Sequence, residues 1–185
     1  MHVRQLTGSD AATYRVLRLE GLREAPTAFG SSYEESEHRP LADYAQRLEP
    51  TERTAVFGAF NGDELIGAVG VYRESGLKER HKAVLWGMYV TPASRRSGAA
   101  KALVRSALEA AGELAGVIQV KLAVESTNWP AIALYESMGF RPFGREERAL
   151  LVDGRYYDEI YMVTFLDGHE HASAPGHPSS DPSPG

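Results

Sequence analysis

The residues best suited to chemistry lie in Met88-Tyr89-Val90-Thr91-Pro92-Ala93-Ser94-Arg95-Arg96-Ser97-Gly98-Ala99-Ala100-Lys101-Ala102-Leu103. An apolar run ends at a proline, and a short loop leads into a helix whose first turn carries small side chains. Amides at a helix start have no intrahelical partner, and the peptide dipoles favour an anion there. Small side chains let a phosphate approach the backbone. Arg95 and Arg96 add positive charge. The pattern reads as a diphosphate cradle; the plain alternative is an ordinary strand–loop–helix connection with surface arginines. It has neither the Gly-Lys-Ser/Thr of a Walker loop nor the three glycines of a dinucleotide fingerprint.

A second group lies further along. Asn128 stands before a helical stretch from Trp129 to Met138 and reads as its N-cap, with Gly139 as the C′ residue. Tyr135 sits on that stretch near Ala131, Leu134 and Met138, where a packed aromatic also fits.

The elements that must position these groups follow from periodicity. His2 to Leu6 reads as a short strand, and Ser9-Asp10 caps a helix ending near Arg23, before Pro26. Glu34 to His38 suggests a helical turn, and Leu41 to Leu48 a second helix. Thr54 to Phe60 and Leu65 to Tyr72 are strands joined by the hairpin turn Asn61-Gly62; Gly70 weakens the second strand or marks a bulge. Ala83 to Val90 is the most apolar strand, with Val84, Trp86, Met88 and Val90 on one face by simple alternation. A helix from Gly98 to about Leu114, a strand from Val117 to Val124 and the Asn128-capped helix come next. Strands from Phe140 to Leu150 and from Tyr156 to Leu166 flank an Asp153-Gly154 turn. Hairpins followed by a strand–helix–strand–helix–strand unit predict an α/β fold, with a mixed sheet covered by helices on both faces.

The chain has 185 residues, 43% of them hydrophobic, which suits one domain and a modest tail. Residues 1–166 form the expected domain. Residues 167–185, rich in Pro, Ser, Gly and His, are expected to be a disordered tail; its histidines read as solvated rather than metal-binding. Net charge is −5, against a nucleic-acid partner. No apolar run approaches the ~20 residues of a membrane span. The N-terminus has no secretory pattern, so a cytoplasmic location is expected. With no cysteine, thiolate chemistry is excluded. Abundant alanine, and arginine in place of lysine, fit a GC-rich bacterial genome.

Arg95-Arg96-Ser97-Gly98-Ala99-Ala100 resembles motif A of the GNAT acetyltransferases, Gln/Arg-x-x-Gly-x-Gly/Ala, and Tyr89-Val90-Thr91-Pro92 and Ala102-Leu103 resemble its flanks. Asn128, Ala131, Leu134, Tyr135 and Gly139-Phe140 are similar to motif B, Asn-x-x-Ala-x-x-Leu-Tyr-x-x-x-Gly-Phe. Phe29 to Glu35 looks like a stretch of one uncharacterised bacterial branch. The resemblance covers about residues 1–166.

It implies an acetyl-CoA-dependent N-acetyltransferase with a mostly antiparallel sheet and one splayed parallel strand pair. Met88, Tyr89 and Val90 would meet the pantetheine arm. Amides from Arg95 or Arg96 through Ser97, Gly98, Ala99, Ala100 and Lys101 would hold the pyrophosphate. Asn128 would bond the arm, and Tyr135 would protonate the leaving thiolate. No metal is implied. Members are often homodimers, although no residue here demands one.

The sequence departs from the family pattern twice. Arg96 stands where many members have glycine. Val84 stands near the position where several carry a general-base glutamate, so the base must lie elsewhere: at Glu125, Glu34, Glu35 or His81, or on a water chain. The acceptor is expected to be a small-molecule amine, bounded by residues 25–48 and 150–161. Glu34, Glu35, Glu37 and Asp158 could attract the amine, and Tyr33, Trp86, Tyr156 and Tyr157 could wall it. A protein acceptor, or an inactive CoA-binding sensor, are the competing readings.

Overall fold

The computed structural model describes residues 1–166, so the expected tail at 167–185 lies outside the described residues. The elements are β1 His2–Gln5, α1 Ala11–Glu24, α2 Tyr33–Glu37, α3 Leu41–Leu48, β2 Thr54–Asn61, β3 Glu64–Arg73, β4 Lys82–Val90, α4 Ala99–Glu113, β5 Gln119–Glu125, α5 Trp129–Ser137, β6 Arg141–Val152 and β7 Arg155–Phe165. Seven strands form one sheet in the order β1-β2-β3-β4-β5-β7-β6. The β4–β5 pair is parallel, and the other neighbours are antiparallel. This is the predicted mixed α/β architecture.

Two apolar clusters cover the sheet. Val69 and Val71 of β3 pack with Leu103, Val104 and Ala107 of α4 and with Ile132 and Tyr135 of α5. Ala68 packs in the other cluster with Leu17 and Leu22 of α1 and Tyr44 and Leu48 of α3. Burial on both sides explains why β3 reads as nearly continuous apolar sequence. The caps behave as their chemistry requires. Asn128 Oδ1 accepts from the Ala131 amide at 3.3 Å, and Gly139 ends the last helix at φ +88°.

The simple alternation assigned to β4 fails at one residue. Gly70 pairs with Trp86 and Ala68 with Tyr89, so one residue of β3 faces two of β4. Gly87 takes up the extra step at φ +65°, a left-handed conformation costly for a residue with a Cβ. The bulge reverses the faces. Ala83 and Leu85 share a cluster with Met88 and Val90, whereas Trp86 lies with Tyr89 on the other side. Gly70 has a different task from the one its type suggested. A Cβ there would fall 2.2 Å from Trp86 Cε2, so the missing side chain makes room for the indole.

Candidate active site

β4 and β5 pair only at Lys82–Gln119, Ala83–Val120 and Val84–Lys121. Beyond that point the strands part. β4 stays on β3 as far as Val90–Gly67, and β5 stays on β7 as far as Glu125–Glu159. Each strand is thus held by its outer neighbour while its inner edge is bare. The bulge at Gly87 adds local twist where the split opens. A cavity of about 90 Å³ lies in the wedge, between Leu85–Met88 and Leu122–Glu125, with Ala28, Asn128, Leu134 and Tyr135 also on its wall.

Past the open end of β4, Thr91-Pro92 stops the strand, and Pro92–Ser94 forms a single tight turn. Gly98 is the N-cap of α4 at φ +88°. The helical ladder begins with the Ala102 amide on the Gly98 carbonyl at 3.0 Å, so the amides of residues 98–101 precede it. Ser97 Oγ takes the Ala99 amide at 3.3 Å. Nothing lies within 4 Å of where a Gly98 Cβ would stand, so the helix start faces open space. Arg96 sits at φ +62° in the left-handed region. Its backbone follows the path glycine allows, which explains why glycine suits this position elsewhere. The Arg95 side chain turns back, donating to the Val90 carbonyl at 3.3 Å and pairing with Glu24. Its charge is therefore already matched by a carboxylate of α1.

Tyr135 is buried and lies edge-on to Phe140 at 5.8 Å. Burial pushes its phenol well above the ordinary tyrosine range, so the hydroxyl is neutral and able to donate. Met88 is partly buried on the cleft wall, and Tyr89 and Val90 are buried. Tyr89 points to the α1 side, where its hydroxyl donates to Glu20 Oε1 at 3.1 Å.

The four base candidates separate. Glu125 is buried on the cleft wall; its two oxygens accept from the Thr127 amide at 3.0 Å and the Thr127 hydroxyl at 2.9 Å. Glu35 is committed to a capping box, accepting from the Ser32 amide at 3.0 Å. Glu34 is exposed on a neighbouring pocket. His81 precedes the paired end of β4, where its carbonyl accepts from the Ile118 amide, away from the split.

That neighbouring pocket, of about 670 Å³, lies between residues 22–35 and 149–153. It joins the early segment and late hairpin expected to hold an acceptor. Tyr33 lines it, whereas Tyr156 is 60% exposed. Asp158 is occupied: it accepts from Arg145 Nη2 at 2.6 Å and from the Arg148 amide at 2.8 Å, which pins a distortion of β6 rather than attracting an amine. Glu37 is half-buried beside the Arg15 guanidinium, which donates to its carbonyl. Sequence reasoning missed Gly87. An isolated glycine inside a strand was the available signal. Among the described residues no cluster of His, Cys, Asp and Glu could hold a metal, and no helix is long and apolar enough to cross a membrane.

The geometry defines a class: a mixed sheet split between two parallel strands, with the split leading to a helix start that faces open space. The acetyltransferase (GNAT) family model matches residues 19–140, and the chain belongs to that family. It is 30% identical over 108 residues to rat N-acetyltransferase family 8 member 3, covering 58% of this chain and 47% of that protein. It is 35% identical over 97 residues to human N-acetyltransferase 8, covering 51% and 42%. The matched region thus spans under half the length of these relatives. In fold it is similar to yncA from Salmonella typhimurium, solved with its cofactor acetyl-CoA, at TM-score 0.78 and 21% identity over 95% of this chain and 98% of that one.

The residues present fit acetyl-CoA. The bare inner edges of β4 and β5 can pair with an amide-bearing arm, and the amides of Gly98, Ala100 and Lys101 can meet a diphosphate.

Proposed function

We propose that this protein transfers the acetyl group of acetyl-CoA to a primary amine of a small molecule by direct attack. The observation that carries this reading is that the two cavities lie side by side. Ala28 borders the split between the strands, and the adjacent Phe29 borders the larger pocket. The larger cavity, at about 670 Å³, is of small-molecule size.

Acetyl-CoA supplies an activated acyl group whose C–S bond breaks as the amine nitrogen forms the new C–N bond. The chain's residues orient the reactants and handle the protons. Amides of Gly98, Ala100 and Lys101 receive the diphosphate, with Arg96 nearby. The inner edge of β4 at Met88–Val90 and the side-chain amide of Asn128 align the arm. Glu125, on the same wall, receives the proton that the attacking amine must lose. Tyr135 donates its hydroxyl proton to the departing sulfur and regains it from solvent. Apolar walls at Leu85, Leu122 and Leu134 limit competing attack by water.

Release of free CoA thiol is measured with acetyl-CoA and a panel of amines, N-terminal peptides included. Turnover of small amines above peptides supports the reading. Turnover of peptides alone reassigns the acceptor to proteins. Calorimetric binding of acetyl-CoA without any turnover reduces the protein to a CoA-binding module.

A further inference from the structure

Arg18 has no use in the chemistry above, yet it lies directly behind the walls of both cavities. It is 8% exposed on the inner side of α1. Its guanidinium lies 4.2 Å over the Phe29 ring, which borders the acceptor pocket. A Cβ on Gly87 would fall 3.8 Å from its Nη1, so it also abuts the bulge that borders the cleft. It thus lies directly behind Phe29 and Gly87, one wall residue of each cavity.

Its surroundings lack an anion. Nη1 is buried without a hydrogen-bond partner, and no ion pair reaches Arg18 among the described residues. The groups acting on it most strongly are Tyr14, Arg47, Tyr44 and Arg39, two neutral phenols and two further cations. Burial accordingly holds its guanidinium below the ordinary arginine range. The Trp86 indole N–H, next to Gly87, is also buried without an acceptor. A buried charge is retained at such a cost only where something compensates it. One planar guanidinium matches one carboxylate in charge and in its paired donors.

We propose that Arg18 binds the carboxylate of the acceptor, and that the acceptor is an α-amino acid with an apolar side chain. This rests on the acetyltransferase reading above. The carboxylate on Arg18 keeps the α-amine beside Gly87, at the cleft, while Leu22, Phe29 and Leu150 of the larger pocket take the side chain.

Two matched pairs test it: L-leucine against isoamylamine, and L-phenylalanine against phenethylamine. Without acetyl-CoA, the acids raise the melting temperature of the wild type more than the amines do, and in Arg18→Met that difference vanishes. With acetyl-CoA, the acids are turned over with kcat/KM about 10- to 100-fold above the amines, the span expected for one charge-assisted contact. Arg18→Met loses this preference through KM, with acetyl-CoA affinity unchanged by calorimetry, and Arg18→Lys restores part of it. Arg18→Met also melts no lower than wild type, because it removes an uncompensated buried charge. A sharply lower melting temperature would make Arg18 a structural residue and overturn the proposal. So would an acid preference that survives in Arg18→Met, or equal responses to acids and amines. Acetyl-CoA binding with no turnover of either acid sinks this assignment and leaves the transferase reading intact. Failure to bind acetyl-CoA sinks the transferase reading, and the cofactor-free melting comparison still decides Arg18.

Discussion

At the scale of single residues, Tyr135 and Asn128 each combine an observed structural task with a proposed chemical one, and each can be taken apart by substitution. Tyr135 packs against Phe140 through its ring, while its hydroxyl is the part chemistry would use. Tyr135→Phe keeps the ring. It should lower kcat by about 100-fold or more, the scale of a general acid's contribution, with acetyl-CoA affinity unchanged by calorimetry. Asn128 caps α5 through Oδ1, so the proposed contact with the pantetheine arm would fall to the Nδ2 amide. Asn128→Asp keeps the acceptor that caps the helix and removes the donor. The melting temperature should hold within a degree or so while KM for acetyl-CoA rises. Asn128→Ala should in addition cost about 1 kcal/mol of stability through the lost cap. Equal melting temperatures for the two variants would show that the cap contributes nothing.

At the scale of elements, the turn before α4 carries a cost at Arg96. A side chain held in the left-handed region costs about 1 kcal/mol or more, partly offset by the larger chain entropy that glycine brings to the unfolded state. Arg96→Gly should therefore raise the melting temperature by a degree or a few, measured by calorimetry. It should also weaken acetyl-CoA binding several-fold, because a cation leaves the proposed diphosphate site. Turns and caps of this kind were legible in the sequence because their chemistry is local. Asn61-Gly62 predicted a hairpin, and Gly62 turns it at φ +60°. Thr91-Pro92 predicted the end of β4, and Gly139 the end of α5. The bulge at Gly87 was not legible as a change of face, because alternation assumes that no residue is inserted. Arg18 was hidden for a related reason. A helical stripe reports which side of a helix is inside, and an arginine within it is read as an interruption until its neighbours are known to lack a carboxylate. The parting of β4 from β5 is a matter of tertiary pairing; it came from the family resemblance and not from the residues themselves.

At the scale of the whole molecule, stability and pH are linked through several buried or bonded tyrosines. The hydrogen bond to Glu146, with burial, raises the Tyr161 phenol to about 12. Burial raises Tyr89 and Tyr135, and Glu20 adds to the effect at Tyr89. Each is neutral when protonated, and the folded state holds its proton more tightly than the unfolded chain. Their contribution is full below about pH 10, the ordinary tyrosine value, and is lost as pH rises through the folded values. The melting temperature should fall above pH 10, and Tyr161→Phe should flatten part of the fall between 10 and 12. The acid side runs the other way. The Arg4 side chain lowers Asp10, and the Arg148 amide with Arg145 lowers Asp158, so their contribution is present above about pH 4 and lost as pH falls below it. Melting curves across both ranges check the two signs.

The bare edges of β4 and β5 give the sheet an unfinished row in its middle, and a bound arm would serve as the missing strand. Backbone amides facing the gap between Leu85 and Val90, and between Leu122 and Glu125, then trade deuterium with solvent quickly in the free protein. They become slow once acetyl-CoA fills the row, whereas amides already paired across β2 and β3 keep their rates. On the proposed reading the cofactor would complete the architecture as well as supply the acyl group, and the protein would be at its most rigid only while loaded.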